Sequence, residues 1–229
     1  MMEKQTLPRS EPRWHASLAI VAAMALYITL PPRLTIGPGW AAPLIILVIL
    51  VPLSIIAPHR HRETRRMRFW SLLLIAIVNF YNLTSVLLLV ASFFHPERSA
   101  THTAAPILRI GAQIWLTNIL VFSLWYWELD GDGPDVRAHA AAATEVKNAD
   151  FLFPQMQMAM QSEHEPPCIQ RLWKPQFLDY LYLAFTNATA FSPADVMPLS
   201  RWAKSLMAVE AMISLITIAI VFSRAVSLL

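Results

Sequence analysis

Apolar residues in this chain fall into long blocks rather than into the alternation of a half-buried strand or the single stripe of a surface helix. Five blocks read as membrane-crossing helices: 16–30, 40–57, 70–94, 105–127 and 200–229. A hydrocarbon core about 30 Å thick asks for about 20 such residues in a helix. A sixth run, 177–195, is different: it is about four turns long by the rise per residue and ends in a polar, proline-containing segment, 186–198. With roughly 14 apolar residues it is too short to cross, and it reads as a re-entrant half-helix. Irregular backbone at membrane depth persists only where protein or a water-filled cavity satisfies its polar groups, so this layout points to a cavity. The expected fold is all-α: five membrane-spanning helices plus a re-entrant half-helix between the fourth and fifth. It divides into an N-terminal three-helix region, 1–104, and a second region, 105–229, made of an outer helix, a hydrophilic loop (128–175), the re-entrant helix and loop (177–198) and an inner helix (200–229).

Polar residues along the blocks refine this reading. Residues 1–15 carry Lys4, Arg9 and Arg13 before the first apolar run. No small-x-small site follows at Leu30-Pro31-Pro32-Arg33, so an uncleaved first span is expected. The second block holds Pro43 and Pro52, tolerated in membrane helices when neighbours re-satisfy the freed carbonyl. Between the second and third blocks, 58–68 holds five arginines (Arg60, Arg62, Arg65, Arg66, Arg68) against Glu63, which the positive-inside rule places in the cytoplasm. Asn79, Asn82 and Thr84 in the third block and Asn118 in the fourth are amides and hydroxyls at a depth where such groups hydrogen-bond between helices. Arg109 is placed to snorkel from the start of the fourth block. Trp125-Tyr126-Trp127 at its end reads as an aromatic belt anchor.

Composition narrows the class. The chain is 56% hydrophobic and only 14% charged, well below the roughly 25% charged residues of soluble domains, so a multi-pass protein of the cell membrane is expected, with the lipid bilayer as its surroundings. Its net charge of +3 does not mark a nucleic-acid partner, because the basic residues sit in loops beside apolar blocks. The single cysteine, Cys168, allows no internal disulfide and no multi-cysteine metal site. Seven scattered histidines, two of them (His59 and His61) interleaved with arginines, form no metal-ligand pattern.

The loop 128–175 has eight acids against four bases and is too small for a separate domain. Within it Ala138–Val146 reads as a short helix and Met156–Met160 as an interfacial stretch. Asp130-Gly131-Asp132-Gly133-Pro134-Asp135 opens like a calcium loop, but the sixth and twelfth positions are Asp135 and Ala141 instead of glycine and glutamate. A turn ending the fourth helix is the stronger reading. No nucleophile–base pair, paired carboxylate or phosphate-binding loop is present, so no enzyme activity and no cofactor are expected.

Two groups of residues carry candidate chemistry. Glu210 lies about ten residues into the last block, and an ionisable group at that depth is a functional candidate by default. Tyr182 or Arg109 are its candidate neighbours. Ser214 and Thr217 share its helix face. The second group, Thr186, Asn187, Thr189 and Ser192, is read as a hydroxyl- and amide-rich loop, which either lines a pore or caps the short helix inside a closed bundle.

The segment YLYLAFTNATAFSPADVMP, 180–198, resembles without a gap the ALYFSFVTLTTVGYGDIVP type of segment found in potassium channels of the two-transmembrane, pore-loop superfamily. Leu181, Tyr182, Phe185, Thr189, Asp195 and Pro198 match, with Val196 in place of an isoleucine. The following helix looks like the inner helix of bacterial members, including the acid at Glu210. The resemblance covers about 50 residues, and it assigns Thr186, Asn187, Thr189, Ser192, Pro193, Ala194 and Asp195 to the selectivity filter and its approach. Both filter glycines are replaced, by Ser192 and Ala194, and the tyrosine by Pro193. A ring of carbonyls that strips a potassium ion needs glycine at its positive-φ positions, so the resemblance implies a degenerate filter without potassium selectivity. As a whole, with stretches such as WYWELD and YLAFTNATAFSP, the chain also resembles a bacterial integral-membrane family, a likeness that supplies no chemistry.

Two functions are therefore expected in competition. One is a channel-like protein, oligomeric as pore-loop proteins are, that passes an ion or small solute. The other is a non-conducting structural or regulatory membrane protein on the same scaffold. A continuous polar lining through Glu210, Ser214 and Thr217 would favour the first. Orientation is contested: the arginine-rich loop puts the C-terminus outside, whereas a channel-like arrangement puts it inside.

Overall fold

A computed structural model describes residues 13–56, 65–94, 104–139, 149–161, 173–192 and 195–227. The helices are α1 (Trp14–Ile28), α2 (Ala41–Ile56), α3 (Arg65–Phe94), α4 (Ala104–Leu129), α5 (Pro134–His139), α6 (Pro154–Gln161), α7 (Phe177–Ala190) and α8 (Arg201–Val226). Two short strands, β1 (Phe151–Leu152) and β2 (Met197–Pro198), pair antiparallel. The chain is mostly helical, as the apolar blocks predict.

Three helices, α3, α4 and α8, are long and apolar enough to cross a membrane. At 30, 26 and 26 residues they extend about 39–45 Å, whereas α1 and α2, with 15 and 16 residues, reach only about 22–24 Å. Chemistry at the helix ends explains these lengths. The first block stops at Thr29, before Leu30 and the two prolines that follow, because proline disfavours a helical residue ahead of it. The Ser85 hydroxyl of α3 then holds this connection by donating to the Leu34 carbonyl at 2.8 Å.

Helix α4 is the most enclosed of the three long helices and packs against α1, α3, α7 and α8. It runs antiparallel to α8: Tyr126 meets Glu210, Asn118 meets Ser214, and Gly111 lies against Val221. α4 ends in a tight turn, Asp130–Asp132, where Gly131 and Gly133 have φ of 54° and 104°, angles that glycine adopts at little cost. This is the turn the sequence suggests in place of a calcium loop. Of the expected helix over 138–146 only Ala138 and His139 are described, as the last residues of α5; the remainder lies outside the described residues, as do Cys168, His59, His61, Pro193 and Ala194.

Helix α7 starts beside the end of α4, where the Gln176 amide donates to the Asp179 carboxylate at 2.7 Å. Its Tyr180 hydroxyl reaches Asp130 and, two turns on, its Asn187 reaches α8. After Ala190 the chain comes back to the level at which α7 began, because β2 pairs with β1 and the Leu199 amide donates to the Asp150 carbonyl at 2.8 Å. Ser200 then caps α8 by accepting from the Ala203 amide at 3.1 Å.

Candidate functional site

Of the polar residues that the sequence singles out in its apolar blocks, Asn82, Asn118, Asn187, Glu210 and Ser214 converge on one place, the seam between α3, α4, α7 and α8; Thr84 instead returns its hydroxyl to the Phe80 carbonyl of its own helix at 2.8 Å, and Asn79 Oδ1 is buried without a hydrogen-bond partner among the described residues. Glu210 is fully buried there. Its Oε2 accepts from the Tyr126 hydroxyl at 2.5 Å and from Asn187 Nδ2 at 2.7 Å, and the same amide nitrogen donates to the Met207 carbonyl at 2.9 Å. Glu210 Oε1 is buried with no hydrogen-bond partner among the described residues. One turn further along α8, the Ser214 hydroxyl accepts from Asn118 Nδ2 at 3.0 Å, and that nitrogen also lies 3.3 Å from the Glu210 carbonyl. Asn118 Oδ1 in turn accepts from Asn82 Nδ2 of α3 at 3.4 Å. Thr217 is buried, with its hydroxyl returned to the Ile213 carbonyl at 2.8 Å. The expectation that Asn82 and Asn118 bond between helices is met, and a hydrogen-bonded network ties α3, α4, α7 and α8 together.

A second cluster sits at the end of α4. Asp130 is buried, and its Oδ1 accepts from the Asp150 amide at 2.6 Å and the Phe151 amide at 3.3 Å, while its Oδ2 accepts from the Tyr180 hydroxyl at 2.5 Å. The Arg137 guanidinium lies 5.1 Å from the centre of the Tyr180 ring and donates to the Asp130 carbonyl. Lys174 Nζ donates to the carbonyls of Arg137 and Ala138 at 2.8 and 2.9 Å. The Phe151 ring stands edge-on to both Tyr126 and Tyr180, so the two carboxylate–tyrosine pairs share one aromatic wall. Nearby, Arg68 of α3 and Asp132 form an ion pair at 3.6 Å. Burial pushes the Asp179 carboxyl up, and the hydrogen bond from the Gln176 amide pulls against that shift.

Several expectations need correction. Thr186, Asn187 and Thr189 are not loop residues: α7 continues to Ala190. The hydroxyls allow this by bonding inside the helix, Thr186 to the Leu183 carbonyl at 2.9 Å and Thr189 to the Phe185 carbonyl at 2.7 Å. Of that group only Asn187 joins the buried network; Thr189, Ser192 and Asp195 are exposed and Thr186 is half-buried. The neighbours expected for Glu210 are also replaced. Tyr182 and Arg109 are exposed, and Tyr126 takes their place. Tyr126 and Trp127 are buried rather than displayed as a lipid-interface belt, because the end of α4 is covered by Phe151 and Phe177.

Two site residues were not legible as such. Asp130 looked like a turn residue, and its only signal is the spacing of four from Tyr126, which puts both on one helix face. Tyr126 was masked by the tryptophans on either side of it. Comparison with protein-family models, with curated proteins and with solved structures finds no match to this chain.

Proposed function

We propose that this chain is a non-conducting structural or regulatory protein of the membrane, in which a channel-like helix arrangement is filled in as a solid core. In this reading α3, α4 and α8 cross the bilayer, the shorter α1 and α2 complete five crossings with local thinning of the lipid, and α7 is re-entrant. The re-entrant assignment draws on the contacts of Tyr180, Asn187 and Leu199, which set the start of α7 and the end of its return segment at one level.

The observation that carries the functional proposal is the position of the polar stripe on α8. Glu210, Ser214 and Thr217 are at most 1% exposed, and Glu210 Oε2 and the two hydroxyls are bonded inside one chain. The residues α8 exposes include Val209, Met212, Leu215, Ile216 and Phe222. A path along that surface would be apolar and would offer nothing to replace an ion's hydration shell. The conducting alternative draws on a different fact, the exposure of Thr189, Ser192 and Asp195.

Flux through proteoliposomes separates the two. Purified, folded protein is reconstituted and assayed for monovalent cations, anions and protons beside its Glu210→Gln variant. The expected result is no flux above that of protein-free vesicles. Flux that Glu210→Gln reduces would overturn the proposal and put Glu210 on a permeation path.

A further inference from the structure

The starts of α1 and α3 meet at one rim of the bundle. The Arg13 guanidinium donates to the Ser71 hydroxyl at 3.3 Å and lies 5.7 Å from the centre of the Trp127 ring, at the end of α4. One turn before Ser71, Arg68 pairs with Asp132 of the turn that ends α4. This fixes α3 antiparallel to α4, and the same register sets Asn82 opposite Asn118. That amide pair lies near the middle of both helices, so it marks depth. By the rise per residue, Phe69 and Trp70 lie about 18–20 Å from Asn82 along α3, and Arg65 and Arg66 about 24–26 Å. A hydrocarbon core about 30 Å thick ends about 15 Å from its centre, and the headgroup layer adds about 5–8 Å. The two aromatic side chains therefore stand within the headgroup layer and the two arginines at its outer edge.

Exposure and charge agree with that placement. Phe69 and Trp70 are exposed, and aromatic rings at this depth suit a lipid interface. Arg65 and Arg66 are exposed and form no ion pair among the described residues. Of the acids at the end of α4, Glu128 and Asp130 are buried and Asp132 is paired with Arg68. At the opposite rim Arg33, Arg109 and Arg224 stand on three separate elements. Two adjacent guanidinium forks, each shaped to grip a phosphate with parallel hydrogen bonds, stand directly above exposed rings.

We infer that the start of α3, with the start of α1 packed beside it, is a binding surface for anionic phospholipid. Arg65 and Arg66 hold the headgroup phosphate, and Phe69 and Trp70 lie against the upper part of the acyl chains. The inference rests on the reading in which α3 and α4 cross the bilayer, and it holds whether or not the protein conducts.

Local lipid selection tests it. Leu73 shares a helix face with Arg66 and Trp70, so a fluorophore at Leu73→Cys in a Cys168→Ser background reports on this surface. Its quenching in proteoliposomes is compared for phosphatidylglycerol and phosphatidylcholine brominated near the top of their chains. The wild-type surface is expected to select phosphatidylglycerol by at least about fivefold, the effect of one base near an anionic membrane. Arg65→Gln with Arg66→Gln is expected to remove the selection, and Arg109→Gln with Arg224→Gln, at the opposite rim, to leave it unchanged. Equal quenching by the two lipids overturns the inference and leaves the crossing of α3 standing; quenching by neither overturns both. Selection that the opposite-rim variant removes equally well overturns the proposed surface, since net charge then accounts for it. Selection abolished by inorganic phosphate, but not by chloride at the same ionic strength, overturns the assignment to lipid in favour of a soluble anion.

Discussion

At Gly111 helix α4 lies so close to the Val221 side chain of α8 that a single added methyl group is expected to push the two helices apart. A Cβ built there would lie 2.4 Å from Val221 Cγ2, 2.7 Å from Cγ1 and 3.0 Å from Cβ. Two carbons rest comfortably at about 3.5–4.0 Å, so the methyl of Gly111→Ala falls more than an ångström short. Val221 has little room to yield, because a β-branched side chain has one strongly preferred χ1 in a helix. Overpacking of this kind costs about 1–3 kcal/mol, and the size of the overlap argues for the upper part of that range. Against it stands helix propensity, which favours alanine over glycine in a helix interior by about 1 kcal/mol. The net expectation is a loss of about 1–2 kcal/mol. Val221→Ala removes both offending methyl groups, so the double variant is expected to recover most of what Gly111→Ala loses. Unfolding of the four proteins of this cycle, by denaturant in a fixed micelle or by steric trapping in bilayers, measures the coupling between the two sites. Gly111→Ala more stable than the wild type, or costs that simply add in the double variant, would refute the close-approach argument.

Two further expectations concern the polar seams. Asn118→Ala removes bonds to Asn82, Ser214 and the Glu210 carbonyl; at about 0.6 kcal/mol each for interhelical bonds in membranes, a loss of about 2 kcal/mol is expected in the same unfolding assay, and no measurable loss would show that this network is incidental. Asp130→Ala leaves the Asp150 and Phe151 amides and the Tyr180 hydroxyl without their acceptor, at about 1–3 kcal/mol for each buried donor left unpaired. Faster amide hydrogen exchange at 150–151 than in the wild type is expected, and unchanged protection there would refute the role given to Asp130.

Much of the architecture was legible because its cause is local. A block of apolar residues forms a helix in lipid whatever it packs against, since its backbone has no other partner there. The apolar blocks therefore appear as α3, α4 and α8 and as the shorter α1 and α2, and α1 ends ahead of Leu30, Pro31 and Pro32. Asn82 and Asn118 were legible because a buried amide gains from another polar group, and each found the other; Asn79, read the same way, has its Oδ1 buried without a hydrogen-bond partner among the described residues.

Helix rotation and side-chain partners depend on distant residues, and these the tertiary structure alone decided. Helical spacing put Glu210, Ser214 and Thr217 on one face of α8, and that same spacing serves a pore lining and a sealed seam equally well. What turns the face inward is Tyr126, 84 positions away in the chain, and Asn187, 23 positions away, and no local pattern announces such pairs. Asp130 and Tyr180, separated by 50 positions, meet only because α7 folds back beside the end of α4. The boundary between α7 and its return segment was obscured for a related reason: Thr186 and Thr189 are polar in composition, yet their hydroxyls bond to carbonyls of the preceding turn, so the helix runs on through residues that look like a loop.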